Sequence, residues 1–187
     1  MGILFAFAPF VVFFVLLRLV SPFAGVGAAF LISALTLYYG LMRGQRPKIL
    51  EFGSILLFGA LSVAVWVFPA EWSVGLVRLV VDGGLSLIAL VSLAVGRPFT
   101  LQYARERVQP EYWNAPLFIH ANRMITMAWT AAFIVATLCD AAATYAPAVP
   151  LWFEIAATVG ALAGAIWFTN WYPARIRRNI PGAQSAS

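Results

Sequence analysis

The sequence predicts an all-α polytopic membrane protein with six transmembrane helices and both termini cytoplasmic. Three observations predict it. Of 187 residues, 63% are apolar and only 10% charged, with a mean hydropathy of +0.89, whereas soluble chains are roughly half apolar and a quarter charged. The apolar runs approach the ~20 residues that a membrane helix needs and lack the alternation of a membrane β-strand. Lys and Arg collect in every second connection, which is how short loops report their side of the membrane.

The chain reads as one transmembrane domain over 1–187, with spans at about 3–20, 24–42, 49–69, 74–96, 117–138 and 151–171. The first, "MGILFAFAPFVVFFVLLRLV", has no basic n-region and too long an apolar run for a cleaved leader, so it is expected to be retained. Position 6 is Ala6 where a myristoylation signal needs Ser or Thr. "VSPFAG" supplies Pro22 for the first turn, and "RGQRPK" supplies charge and Pro47 for the second. "FPAEWS" and "YAPAVP" carry prolines that stop a helix. Only 97–116 is a sizeable connection. Leu101, Ala104 and Val108 recur there at helical spacing, which predicts a short interfacial helix between spans four and five, ending before Pro110. Residues 172–187 form a basic tail.

Orientation follows from the cations. Arg43, Arg46 and Lys48 lie in one connection, Arg97, Arg105 and Arg107 in another, and Arg175, Arg177 and Arg178 in the tail. The three opposite connections hold only the acids Glu71 and Asp140. Both termini are therefore expected in the cytoplasm. The net charge of +5 is read as this topological signal and not as a nucleic-acid footprint. Trp66, Trp72 and Trp152 fall at the outer boundary, and Trp113, Trp171 and Tyr172 at the inner one, as an aromatic belt does.

Charges inside the apolar runs are the informative exception. Arg78 lies roughly 6 Å inside the outer end of the fourth span and Asp82 roughly 12 Å inside it. Arg78 can snorkel. Asp82 is too short, and an unpaired aspartate there costs at least about 3 kcal/mol. Arg18 and Glu154 occupy the same leaflet, so Arg18, Arg78, Asp82 and Glu154 are expected to form a buried ionic cluster or an ion site. Gly83 and Gly84 would let another helix approach beside the acid, and Gly160 and Gly164 stand in a G-x-x-x-G spacing that serves helix packing or a homodimer seam.

On the other side, Glu51 is placed to pair with Lys48 or Arg46. "FIHANRMITMAW" puts His120, Asn122 and Arg123 at the start of the fifth span as candidates for lipid headgroups, near Tyr38 and Tyr39. The chain has a single histidine and a single cysteine, Cys139, so haem, a disulfide and a thiol metal cluster are not expected, and no cofactor or metal is assigned. No H-E-x-x-H, G-x-S-x-G, Walker or G-x-G-x-x-G pattern occurs, and no catalytic residues are assigned.

The order of features resembles the bacterial intracellular septation protein A family, the inner membrane-spanning proteins. The residues that carry the resemblance are "FAPFVVFFVLLRLV", "KILEFGSILLFGALSVAVW", "LVRLVVDGGLSLIALVSLAVGRPFTLQYA" and "NRMITMAWTAAF", the last with Trp129 at a characteristic tryptophan. It covers about residues 5–178, and "GRPFTLQYARE" with "PEYW" also looks like a related group of uncharacterised integral membrane proteins. Asp82 and "ARERVQPEYW" depart from the pattern. The resemblance implies a non-enzymatic protein of the bacterial inner membrane that supports envelope biogenesis or septation through other membrane proteins. Arg97, Phe99, Thr100, Tyr103, Arg105 and Trp113 are the expected docking residues. The alternatives are a small proton- or cation-coupled transporter or channel using Asp82, and a lipid- or quinone-binding accessory subunit. The partners in all cases are the bilayer and membrane proteins, with no nucleic acid.

Overall fold

The computed structural model describes residues 3–68, 72–145 and 150–178. Glu71, most of "YAPAVP" and the end of the basic tail lie outside the described residues. Within them all regular secondary structure is helical, without a strand. The elements are α1 (Ile3–Ala6), α2 (Ala8–Leu19), α3 (Pro22–Met42), α4 (Ile49–Val67), α5 (Val74–Ala94), α6 (Phe99–Ala104), α7 (Pro116–Tyr145) and α8 (Leu151–Arg178). Two single 3₁₀ turns, Arg105–Arg107 and Pro110–Tyr112, link α6 to α7.

Five helices are long and apolar enough to cross a membrane: α3, α4, α5, α7 and most of α8. The expected first span is interrupted. Pro9 has no N–H to bond back to the preceding turn and its ring crowds that turn's carbonyl, so the helix breaks at Phe7 and leaves a 12-residue α2. Elsewhere the helices overrun expectation. Nothing between Leu138 and Tyr145 breaks a helix, so α7 runs for 30 residues and takes in Asp140, expected from the sequence in a connection. α8 runs for 28 residues through Pro173 and absorbs the start of the tail.

The helix starts are written locally. Ser21 Oγ accepts from the Ala24 N–H at 3.2 Å and Ser73 Oγ from the Leu76 N–H at 3.1 Å, each satisfying one free donor of a first turn. At α4 the cap comes from another element: the Ile49 N–H donates to Gln102 Oε1 of α6 at 2.8 Å.

The long helices pack α2 on α3, α3 on α4, α5 on α7 and α7 on α8, while α4 touches α5 less extensively than any of these. The core is aromatic. Phe7 stacks on Trp129 with centroids 5.2 Å apart, Phe10 and Phe13 meet Phe58, and Phe99 meets the Phe7 edge. The Trp129 indole donates to Thr169 Oγ1 at 3.0 Å and so joins α7 to α8. Large apolar side chains such as Leu31, Leu56, Leu87 and Trp167 are exposed on the outer faces, as lipid-facing surface requires.

Candidate functional site: buried ionic nodes at the two ends of the bundle

The first node joins three helices. Arg78 projects from the first turns of α5, Glu154 from the first turn of α8, and Asp140 from the last turns of α7. The Arg78 Nη2 donates to Glu154 Oε1 at 2.6 Å and forms an ion pair with Asp140 Oδ1. The Asp140 oxygens lack hydrogen-bond geometry, so charge holds that contact. Arg78 keeps 20% of its side chain accessible, against 1% for Asp140 and 5% for Glu154.

Asp82, one turn along α5, is buried with its carboxyl beside that of Asp140. Of the glycines facing α7, Gly75 is the tight one and Gly83 leaves room. A Cβ at Gly83 would lie 3.7 Å from Thr137 Cγ2, and one at Gly75 would lie 2.9 Å from Thr144 Oγ1. The Ser86 and Thr137 hydroxyls add a polar contact of 3.0 Å between the same helices.

Three of the four expected members therefore meet. Arg18 does not join: it is exposed near the end of α2 and has no ion pair among the described residues. Its place is taken by Asp140. The signal that would have found Asp140 is the unbroken apolar spacing Phe133, Ala136 and Asp140 on one face of α7, all three buried.

The second node lies at the opposite end, at the start of α4. Lys48 is buried, and its Nζ contacts Glu51 Oε1 at 3.2 Å and Glu106 Oε1 at 2.8 Å while standing 4.7 Å from the Tyr103 ring centroid. The Lys48–Glu51 pairing was expected, and the Glu106 partner was not. Burial pushes the Glu106 carboxyl up, but Lys48, through its hydrogen bond and charge, is among the groups that bring it below the usual carboxylate range. Burial pushes the Tyr103 phenol well up, and the negative charges of Glu51 and Glu106 push it the same way.

The docking set expected from the 97–116 connection divides. Phe99, Thr100 and Tyr103 are buried, because α6 folds back onto the bundle against α7. Thr100 Oγ1 donates to the Asn122 carbonyl at 2.8 Å and lies 2.7 Å from Thr126 Oγ1. Arg97 is exposed, and Arg105 and Trp113 are half-buried. The Trp113 indole is fastened to the Arg105 and Val108 carbonyls at 3.1 and 2.9 Å.

The headgroup set divides as well. His120 and Arg123 are exposed, but Asn122 is buried and its amide donates to the Phe118 carbonyl at 2.9 Å. Gly84 is a packing glycine, since a Cβ there would run into Leu57 of α4. Gly160 and Gly164 are not: both are exposed with no atom within 4 Å of an added Cβ. They lie on the outward face of α8, and no helix among the described residues packs against them. Among the described residues no group of three or more His, Cys, Asp or Glu is arranged to hold a metal ion.

Comparison with protein-family models, curated proteins and solved structures returns no match to this chain. The chemistry of the site therefore rests on its own geometry.

Proposed function

We propose that the chain is a six-span, non-enzymatic protein of a bacterial inner membrane, with α1 and α2 together forming the first span and both termini in the cytoplasm. Its role is to support envelope biogenesis or septation through contacts with other membrane proteins. The observation that supports a rigid, interaction-based role is the Arg78 node, in which one guanidinium joins α5, α7 and α8 through two nearly inaccessible carboxylates. Such a node fixes helix register, because any slip strands a charge in hydrocarbon. Positive residues gathered at the α6 end of the bundle support the orientation. Deletion of the gene in its host tests the role: altered cell length, septum placement or envelope-stress resistance is expected, and wild-type behaviour in all three rejects it.

A second reading has one specific observation in its favour. A single guanidinium balances a single carboxylate, while Asp82, Asp140 and Glu154 are all buried around it. Three acids gathered around one cation in the membrane interior is the excess that a proton-exchanging site needs. Proteoliposomes loaded with a pH-sensitive dye test it. Proton flux that is lost in both Asp82→Asn and Asp140→Asn favours transport, and folded protein that moves no protons leaves the scaffold role.

A further inference from the structure

The thin contact between α4 and α5 opens a lateral groove of about 620 Å³, lined by Phe52, Gly53, Leu56, Leu57, Leu87 and Ile88. Its wall is almost wholly apolar. At the α6 end it reaches Pro47, Lys48 and Ile49, and those same three residues begin a second, polar hollow of about 1240 Å³. That hollow is walled by the connection after α3 and by α5's exit into α6, and it contains Arg46, Lys48, Arg97 and Arg105 against a single acid, Glu106.

The cations there are not equivalent. Lys48 is engaged with Glu51 and Glu106. Arg46 and Arg97 are exposed and have no ion pair among the described residues. Arg105 leans on the Trp113 ring with its guanidinium carbon 5.7 Å from the centroid, and its Nε–H is buried without a hydrogen-bond acceptor. A buried guanidinium donor without an acceptor is costly in a folded protein. It points to an anionic group as the missing acceptor, and planar guanidinium forks suit phosphate oxygens best.

We propose that this composite site binds one anionic phospholipid, with its phosphate on Arg46, Arg97 and Arg105 and one acyl chain in the α4–α5 groove. Two features favour a phospholipid over a soluble phosphate. The basic hollow continues into an apolar groove open to the bilayer, and basic pockets between membrane helices on the cytoplasmic side are where anionic headgroups are held. The groove volume falls in the range of small-molecule pockets. Gly53 and Gly84 shape it: a Cβ on Gly53 would lie 2.8 Å from Ile88 Cδ1, and one on Gly84 would meet Leu57. Both positions therefore hold the groove to its present width. This site shares no residue with the His120, Asn122 and Arg123 set expected from the sequence.

The test is native mass spectrometry of the purified full chain with phosphatidylglycerol, phosphatidylcholine or inorganic phosphate added to the micelle. The wild-type chain is expected to retain phosphatidylglycerol in preference to phosphatidylcholine. At about fivefold per arginine, the triple variant Arg46→Gln, Arg97→Gln, Arg105→Gln should lose on the order of a hundredfold in affinity and lose the preference. Leu87→Trp, on an exposed groove position, should weaken both lipids alike. Arg97→Gln alone, at an exposed position, carries the same test at about a fivefold loss if the triple variant fails to fold. Equal retention of the two lipids by the wild-type chain overturns the proposal. So does an unchanged preference in a folded arginine variant, or inorganic phosphate displacing the lipid at equal concentration.

Discussion

Replacing Arg78 by Met gives the sharpest test of how the bundle is held. The substitution keeps most of the aliphatic stem and removes the guanidinium that Asp140 and Glu154 share. Removing one partner of a buried ion pair costs about 3–5 kcal/mol, because the charge left behind is unbalanced and desolvated. Arg78 is mostly buried, so solvent screening discounts this little. For chains of 150–250 residues each kcal/mol moves the melting temperature by about 2–4 °C, so the variant should melt about 6–20 °C below the wild type. The measurement is thermal unfolding in one fixed detergent, followed by tryptophan fluorescence. The companion variant Arg78→Met, Asp140→Asn, Glu154→Gln also neutralises both carboxyls paired with Arg78, leaving only Asp82 of the node. It should recover most of the loss, since neutral replacement of a buried ion network is often without cost. An Arg78→Met protein that melts with the wild type refutes the reasoning. A triple variant no more stable than the single one refutes it equally.

Four further outcomes follow from particular contacts. Gly84→Ala drives a methyl into Leu57 and should cost about 1–3 kcal/mol of overpacking, of which better helix propensity returns about 1. Gly83→Ala has room beside Thr137 and should be neutral or gain up to about 1 kcal/mol, so the two melting points should separate in that order. Tyr103→Phe removes a buried hydroxyl that has no hydrogen-bond partner, and should leave stability unchanged or raise it by up to about 1 kcal/mol, read as an unchanged or higher melting point. Because the folded Glu106 carboxyl titrates below its ordinary 4.5, its contribution is fully present above that pH and is lost as the pH falls through the lower folded value. Glu106→Gln should therefore remove one increment of acid sensitivity below about pH 4.5 in a pH series of melting curves.

Much of the architecture is legible in the residue order. Helix type and the approximate placement of the long helices follow from apolar runs between prolines and charges, because in hydrocarbon a backbone must bond to itself and a run of about 20 residues can do so only as a helix. The need for partners at Arg78, Asp82 and Glu154 is legible for the same reason. The identity of the partners is not. A lipid-facing helix is apolar all round, so no amphipathic stripe marks which face turns inward. The sequence therefore points to Arg18 and leaves Asp140 in a connection, and it offers Gly160 and Gly164 as readily as Gly83 and Gly84. Only the packing of α5 against α7 and α8 selected Asp140. Only the folding of α6 back onto α7 buried Phe99, Thr100 and Tyr103, while Arg46, Arg97 and Arg105 were left around one hollow. Length and polarity act along a chain and can be read from it; contact between helices is an energy of faces, and it exists only once the faces have met.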